Sequence, residues 1–154
     1  MLTGDMLRRA AHRFPNKAAI LWNDTALSYR ALNESANRLA HALIAAGIGR
    51  QAKVGIISRN RPEYGVVFFG VAKSGGVVVN VSVLYAPDEL AFVLDKADVE
   101  LLIFEDVFAD KVAAVRARLP RLKTLVSLGA AKLDAPVLAD FIAGHSAEEP
   151  GVSL

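Results

Sequence analysis

The chain has no cysteine. That excludes disulfides, thiolate metal sites and a cysteine nucleophile, and it fits a reducing compartment. It also lacks any apolar run of the roughly 20 residues that a membrane span needs. The longest candidate, GVVFFGVAKSGGVVVNV, is interrupted by Lys73, Ser74 and two glycines. The opening stretch MLTGDMLRRAAHRF has no apolar segment of signal-peptide length. Charge of one sign is scarce too: 18 Lys and Arg against 16 Asp and Glu leave a net +2. The basic residues are scattered, whereas a nucleic-acid binder concentrates them on one face, so no nucleic-acid partner is expected. These absences together describe a soluble, cytoplasmic protein without a membrane span.

What is present is material for a core. The 154 residues are 53% hydrophobic and 22% charged, enough for one domain with a substantial interior. Residues 5 to 13 read as a short amphipathic helix ended by Phe14-Pro15-Asn16. Lys17 to Trp22 and Ala26 to Tyr29 read as two strands around the turn Asn23-Asp24. From Tyr29 to about Ala46, the apolar positions Leu32, Ala36, Leu39, Ala40 and Leu43 mark one buried helix face. Ser28 is the expected N-cap and Gly47 the C-terminal glycine.

Further on, Lys53 to Ile57 is a strand. Asn60 is expected to cap the next helix, with Pro62 in its first turn and Glu63 completing a capping box. That helix is apolar nearly all round, through Val66, Val67, Phe68, Phe69 and Val71, which predicts burial on several sides. Val77 to Val81 shows no alternation and is expected to be a strand covered on both faces. A helix from Pro87 to about Ala97 and a strand from Glu100 to Phe104 follow. The next helix, about 107 to 119, places Phe108, Val112, Val115 and Leu119 on one stripe, and Pro120 stops it. Lys123 to Leu128 is a last strand, and a short helix is expected over about 136 to 143. Alternation of helix and strand with short connections predicts an α/β fold: three layers, α/β/α, around a mostly parallel, doubly wound sheet.

Chemical motifs are few. Gly47-Ile-Gly49-Arg-Gln-Ala52 spells a dinucleotide fingerprint but follows a helix and precedes a strand, the reverse of what a phosphate loop requires. It reads as a helix-to-strand turn. Gly65 and Gly70 lie inside a helix and read as packing glycines, and Gly75-Gly76 as a helix end. His12, His41 and His145 have no metal-ligand spacing and read as surface residues. Asp95, Asp98, Glu100, Glu105 and Asp106 cluster around turns, where solvated charges are ordinary. No catalytic or metal residue is therefore assigned. The segment Asn80-Val-Ser-Val-Leu-Tyr85 is different. It leaves the carboxyl end of a strand, where ligands of parallel sheets sit.

Four blocks, in order, resemble the N-terminal part of the adenylate-forming (AMP-binding) enzymes. They are Arg13-Phe-Pro-Asn-Lys-Ala18, LSYRALNESANRLAHAL from residue 27, GRQAKVGIISRNRPEY from residue 49 and AKSGGVVVNV from residue 72. Asn80-Val-Ser-Val-Leu-Tyr-Ala-Pro-Asp-Glu-Leu90 is similar to the Asn-Val-Asn-Pro-Leu-Tyr-Thr-Pro-x-Glu-Leu run of fatty acyl-CoA ligases. It departs from that run at Ser82, Val83 and Ala86. Ala86 removes a side-chain cap ahead of Pro87, a loss of roughly 1 kcal/mol.

The resemblance implies the N-terminal subdomain, residues 1–154, of an acyl-CoA synthetase. Such an enzyme uses ATP, Mg2+ and coenzyme A on a small-molecule acyl substrate, fatty or otherwise apolar. Residues 129–154 would be a tail leading to the family's Ser/Thr/Gly-rich phosphate loop, which does not occur in this chain. The 154 residues alone are thus expected to bind no cofactor, to be inactive, and to self-associate through exposed apolar surface. By the same resemblance, Ser82, Leu84 and Tyr85 stand at the substrate edge as candidate cofactor-binding residues. Leu84 occupies the position where some relatives carry a basic residue for the coenzyme A nucleotide, so that contact is not carried over. Part of an adenylation domain that charges a carrier protein, a stand-alone α/β binding module and a flavodoxin-like domain remain alternatives.

Overall fold

The structure is a computed structural model and describes residues 2–152. The chain forms two compact units, each assembled from separate segments. One comprises Met1–Arg50, Asn60–Gly76 and Ile142–Leu154; the other comprises Gln51–Arg59 and Val77–Phe141.

The first unit is helical, with one hairpin. Helix α1 (Thr3–Arg13) is followed by strands β1 (Ala18–Trp22) and β2 (Thr25–Ser28), which pair antiparallel across a turn where Asn23 takes φ 51°. Helix α2 (Tyr29–Ala45) starts as its sequence requires, with Ser28 Oγ accepting from Ala31 N at 3.1 Å. Every position of its expected apolar stripe is buried. It ends with Ile48 N donating to Leu43 O (2.8 Å) and Gly47 N to Ile44 O (3.0 Å), Gly47 sitting at φ 76°. That is the paired closure of a glycine-ended helix. Helix α3 (Pro62–Lys73) closes in the same way through Gly75 and Gly76. The two helices meet at Gly70, where an added Cβ would lie 2.7 Å from Leu39 Cδ2 and 2.9 Å from its Cβ and Cγ.

The expected start of α3 is corrected. Its N-cap is Arg61, not Asn60, and no side chain caps it. Pro62 disfavours helical geometry in the residue before it, and Arg61 is extended at φ −142°, ψ 156°. Glu63 is therefore one place too early for a capping box and pairs instead with the Arg61 side chain at 3.2 Å. The helix is buried on several sides as expected, through Val66, Val67, Gly70 and Val71, with Phe68 40% exposed.

The second unit holds the sheet. Strands β3 (Lys53–Ile57), β4 (Val77–Asn80), β5 (Val99–Glu105) and β6 (Thr124–Leu128) are all parallel, in the order β4-β3-β5-β6. Helices α4 (Pro87–Lys96) and α5 (Ala109–Arg116) pack on it, and α6 (Leu138–Ile142) follows β6. Leu90, Leu94, Val112 and Val115 meet Ile57, Leu102 and Phe104 in one apolar cluster. The alternate residues Val54, Ile56, Leu101 and Ile103 are equally buried, so β3 and β5 hide both faces.

The expectation of a strand covered on both faces fails for β4. It is an edge strand, and Val77 is 42% exposed. An apolar run shows that a strand is short of polar residues, not where it stands in the sheet. Helix α5 is also shorter than expected. Asp106–Phe108 form a 3-10 turn before it, and the chain tightens after Arg116 into i→i+3 bonds ahead of Pro120. Leu119 is buried from beyond the helix end. The α/β class and the parallel sheet are as the sequence predicts.

Candidate functional site at the carboxyl edge of the sheet

The four parallel strands deliver Ser58-Arg59, residues 81–86, Glu105-Asp106 and Gly129-Ala130 to one edge. Residues 81–86 explain their mixed composition. Val81 is buried, and Val83 and Tyr85 pack against the core of the sheet unit. Ser82 is half-buried and Leu84 is exposed. Ser82 Oγ accepts from Leu84 N at 3.2 Å, and Tyr85 N closes the turn onto Ser82 O at 3.3 Å. Lys111 Nζ donates to Val83 O at 2.8 Å and pins the loop from α5. Alternate side chains thus anchor the loop while Leu84 stands 87% exposed at its tip.

Ala86 leaves α4 without a side-chain cap, as the sequence implies. Half of a capping box survives: Glu89 Oε2 accepts from Ala86 N at 2.8 Å.

Glu105 overturns the solvated reading of the acidic cluster, because it is only 1% exposed. Its Oε2 accepts from Arg59 N at 2.8 Å. Its Oε1 accepts from Arg59 Nε at 3.0 Å and Nη2 at 2.6 Å. This bidentate, charge-assisted pair ties the end of β5 to the end of β3. Asp106 does the same for β6, with Oδ2 accepting from Ala130 N at 2.7 Å. Gly129 takes φ 87° beside it, and a Cβ there would meet Asp106 Oδ2 at 2.7 Å.

A phosphate at such an edge uses backbone N–H groups. Here Arg59 N and Ala130 N are already engaged by Glu105 and Asp106. The edge built by these residues therefore does not fit a nucleotide phosphate. Among the described residues no three His, Cys, Asp or Glu side chains come together to hold a metal ion. His12 is exposed, His145 is half-buried, and His41 Nε2 lies 3.0 Å from Glu148 O. The Gly47 segment is the helix-ending turn expected of it.

Sequence reasoning missed two polar clusters, Arg59 with Glu105 and Lys73 with Glu149. The available signal was position: Glu105 ends the apolar run Leu101 to Phe104, and Lys73 ends an apolar helix. A charge placed there is either at an edge or enclosed with a partner.

Comparison with known proteins places this architecture. A medium/long-chain-fatty-acid–CoA/3-oxocholest-4-en-26-oate–CoA ligase of Mycobacterium marinum is 38% identical over 122 residues, covering 79% of this chain and 22% of that protein. The chain thus spans about a fifth of the length of the curated relatives it matches. A Mycobacterium tuberculosis fatty acyl CoA synthetase superposes with a TM-score of 0.88 at 28% identity, covering 99% of this chain and 30% of that one. The anthranilate CoA ligase AuaEII in complex with anthranoyl-AMP superposes with a TM-score of 0.92 at 25% identity, covering 96% and 29%. With residues 7–150 matching the family profile, the chain belongs to the AMP-binding enzyme family.

Proposed function

We propose that this chain is the N-terminal subdomain of an ATP-dependent acid–CoA ligase with a fatty or other apolar acyl substrate. The similarity to the Mycobacterium marinum fatty-acid ligase carries the reading. The reaction joins a carboxylic acid to coenzyme A through an acyl-adenylate, with release of pyrophosphate and then AMP. This chain contributes scaffold and one loop to it. Its own carboxylates hold strand ends together, so no nucleophile, base or phosphate cradle is assigned to it. Magnesium finds no ligand cluster among the described residues, and no step is derived through it.

The loop 81–86 is the part we assign to the substrate edge. Leu84 projects from a turn that the Ser82 hydroxyl closes, and Tyr85 braces that turn against the core. An apolar tip suits an acyl chain better than a nucleotide. On this reading residues 129–154 lead to the phosphate-binding loop, and the cytoplasm is the compartment. Among the described residues no helix is long and apolar enough to cross a membrane.

The 154 residues alone are expected to be inactive. They are also expected to self-associate, since Leu21, Phe92 and Leu84 each expose more than half of their surface. The test reads the source gene past codon 154 and assays its full product with ATP, coenzyme A and a series of acids. Acid-dependent release of AMP and formation of a thioester support the reading. Adenylate formation by the 154-residue chain alone refutes the division of labour. Transfer only to a carrier protein shifts the assignment to an adenylation domain.

A further inference from the structure

The chain leaves α6 and crosses the first unit as an extended tail over residues 145–149. Loops of this kind are usually held by scattered backbone contacts. This one is held by side chains of two helices. Arg38 donates from Nη1 to His145 O. Asn37 Nδ2 donates to Ala147 O at 2.8 Å. The tail then ends in a shared carboxylate. Glu149 Oε2 accepts from Lys73 Nζ at 2.5 Å, and Oε1 accepts from Asn33 Nδ2 at 3.0 Å and Asn37 Nδ2 at 3.3 Å.

The receptor for that carboxylate is enclosed. The Lys73 side chain is 3% exposed and Asn37 is 1% exposed. The Lys73 stem runs against α1 at Gly4, where an added Cβ would lie 2.8 Å from Lys73 Cγ. Glycine at residue 4 therefore gives the lysine its path. A buried ammonium is costly without a partner, and Glu149, more than 70 residues away in sequence, supplies one. The carboxyl responds accordingly. Burial pushes it up, but the hydrogen bonds from Lys73 and Asn33, the Lys73 charge and the Asn37 bond outweigh that and hold it below its ordinary value.

We propose that Glu149 is a positioning residue, which locks the tail onto α2 and α3 and so fixes the point from which the next segment of the ligase departs. The inference rests on the ligase reading above. Its local part, the fixing of residues 145–149, stands on this geometry alone. In that ligase the segment after the tail carries the phosphate-binding loop. A fixed departure point then acts on the placing of ATP rather than on the acyl group.

The experiment uses the full-length protein and three variants, Glu149→Gln, Lys73→Met and Gly4→Ala. Gly4→Ala touches neither charge and guards against an unfolded ion-pair variant. Hydrogen exchange of amides 145–149 reports the lock, and KM for ATP against KM for the acid reports the positioning. Loss of one charge-assisted interaction predicts roughly tenfold faster exchange in the tail and a KM for ATP raised by a similar factor, with KM for the acid unchanged. Lys73→Arg should restore most of both. Unchanged tail exchange in all three variants overturns the lock. Faster exchange with unaltered kinetics, or with both KM values raised alike, overturns the positioning role and leaves the ligase reading intact. A wild-type protein without ligase activity is a failure of that reading, and it removes the positioning role with it.

Discussion

Helix α3 carries two glycines, and the structure predicts opposite outcomes when each becomes alanine. Both substitutions gain helix propensity, about 1 kcal/mol at an interior position. They differ in what the new methyl meets. At Gly70 it would lie 2.7–2.9 Å from Leu39 Cδ2, Cβ and Cγ. Cβ is fixed to the backbone of α2, and Leu39 is fully buried, so the helices must part. Overpacking of this kind costs about 1–3 kcal/mol. With three contacts below 3.0 Å we take the upper half of that range, leaving Gly70→Ala destabilised by about 1–2 kcal/mol.

At Gly65 the short contact is with Ile20 Cδ1, at 2.7 Å, the free end of a side chain on β1. It can rotate away. Gly65→Ala is therefore expected to be neutral or stabilising by up to about 1 kcal/mol. Urea denaturation followed by circular dichroism separates the two. At a slope of about 2 kcal/mol/M, the Gly70 variant should lose roughly 0.5–1 M in midpoint while the Gly65 variant loses none. Leu39→Ala should cost about 2–5 kcal/mol. Combined with Gly70→Ala, the total should fall short of the sum by at least about 0.5 kcal/mol, because the new methyl enters the space the leucine vacates. Equal shifts of one sign in both glycine variants would refute the reasoning, since propensity alone would then explain them.

Three further outcomes follow from caps, charge and the edge loop. Ser28→Ala should destabilise by about 1 kcal/mol, and Ala86→Ser should stabilise by a similar amount through the cap that α4 lacks; both are read from thermal midpoints. Because the Glu149 carboxyl is held below its ordinary value, its contribution is complete above the usual carboxylate range and is lost as pH falls through the lowered value. Proteolysis of the tail should therefore rise on acidification, and Glu149→Gln should flatten that dependence. Leu84→Ala should leave stability within about 0.5 kcal/mol and change the acyl-chain preference of the full-length protein. Tyr85→Ala should lower stability measurably, since its ring packs on the core.

The elements were legible in the sequence where a local rule decides them. Ser28 and Gly47 bound α2 as their chemistry requires, and Asn23 turns the hairpin. The parallel sheet follows from alternation and from the apolar runs in β3 and β5. Position within the sheet was not legible. Val77 to Val81 reads as covered on both faces because nothing local distinguishes an edge strand of valines from a central one. The start of α3 was misplaced by one residue because the effect of Pro62 on Arg61 outweighs the capping preference of Asn60. The position of Asn80 to Tyr85 at the carboxyl end of a strand was legible from the run of valines before it. Glu105 was misjudged because its partner, Arg59, lies 46 residues away. For the tail lock, the place of Lys73 at the end of an apolar helix hints at an enclosed charge but does not name Glu149 as its partner. Long-range pairing of charges leaves no periodic trace.

The two compact units are threaded, not consecutive. Synthesis runs from the amino terminus, so α1, α2 and α3 emerge early, yet the residues that bind Lys73, Asn33 and Asn37 emerge only after the sheet. Until then the Lys73 ammonium has no Glu149 to pair with. Its final closure therefore depends on the end of the segment rather than on its beginning, and a nascent chain stalled before residue 145 should expose α2 and α3 to chaperones and proteases.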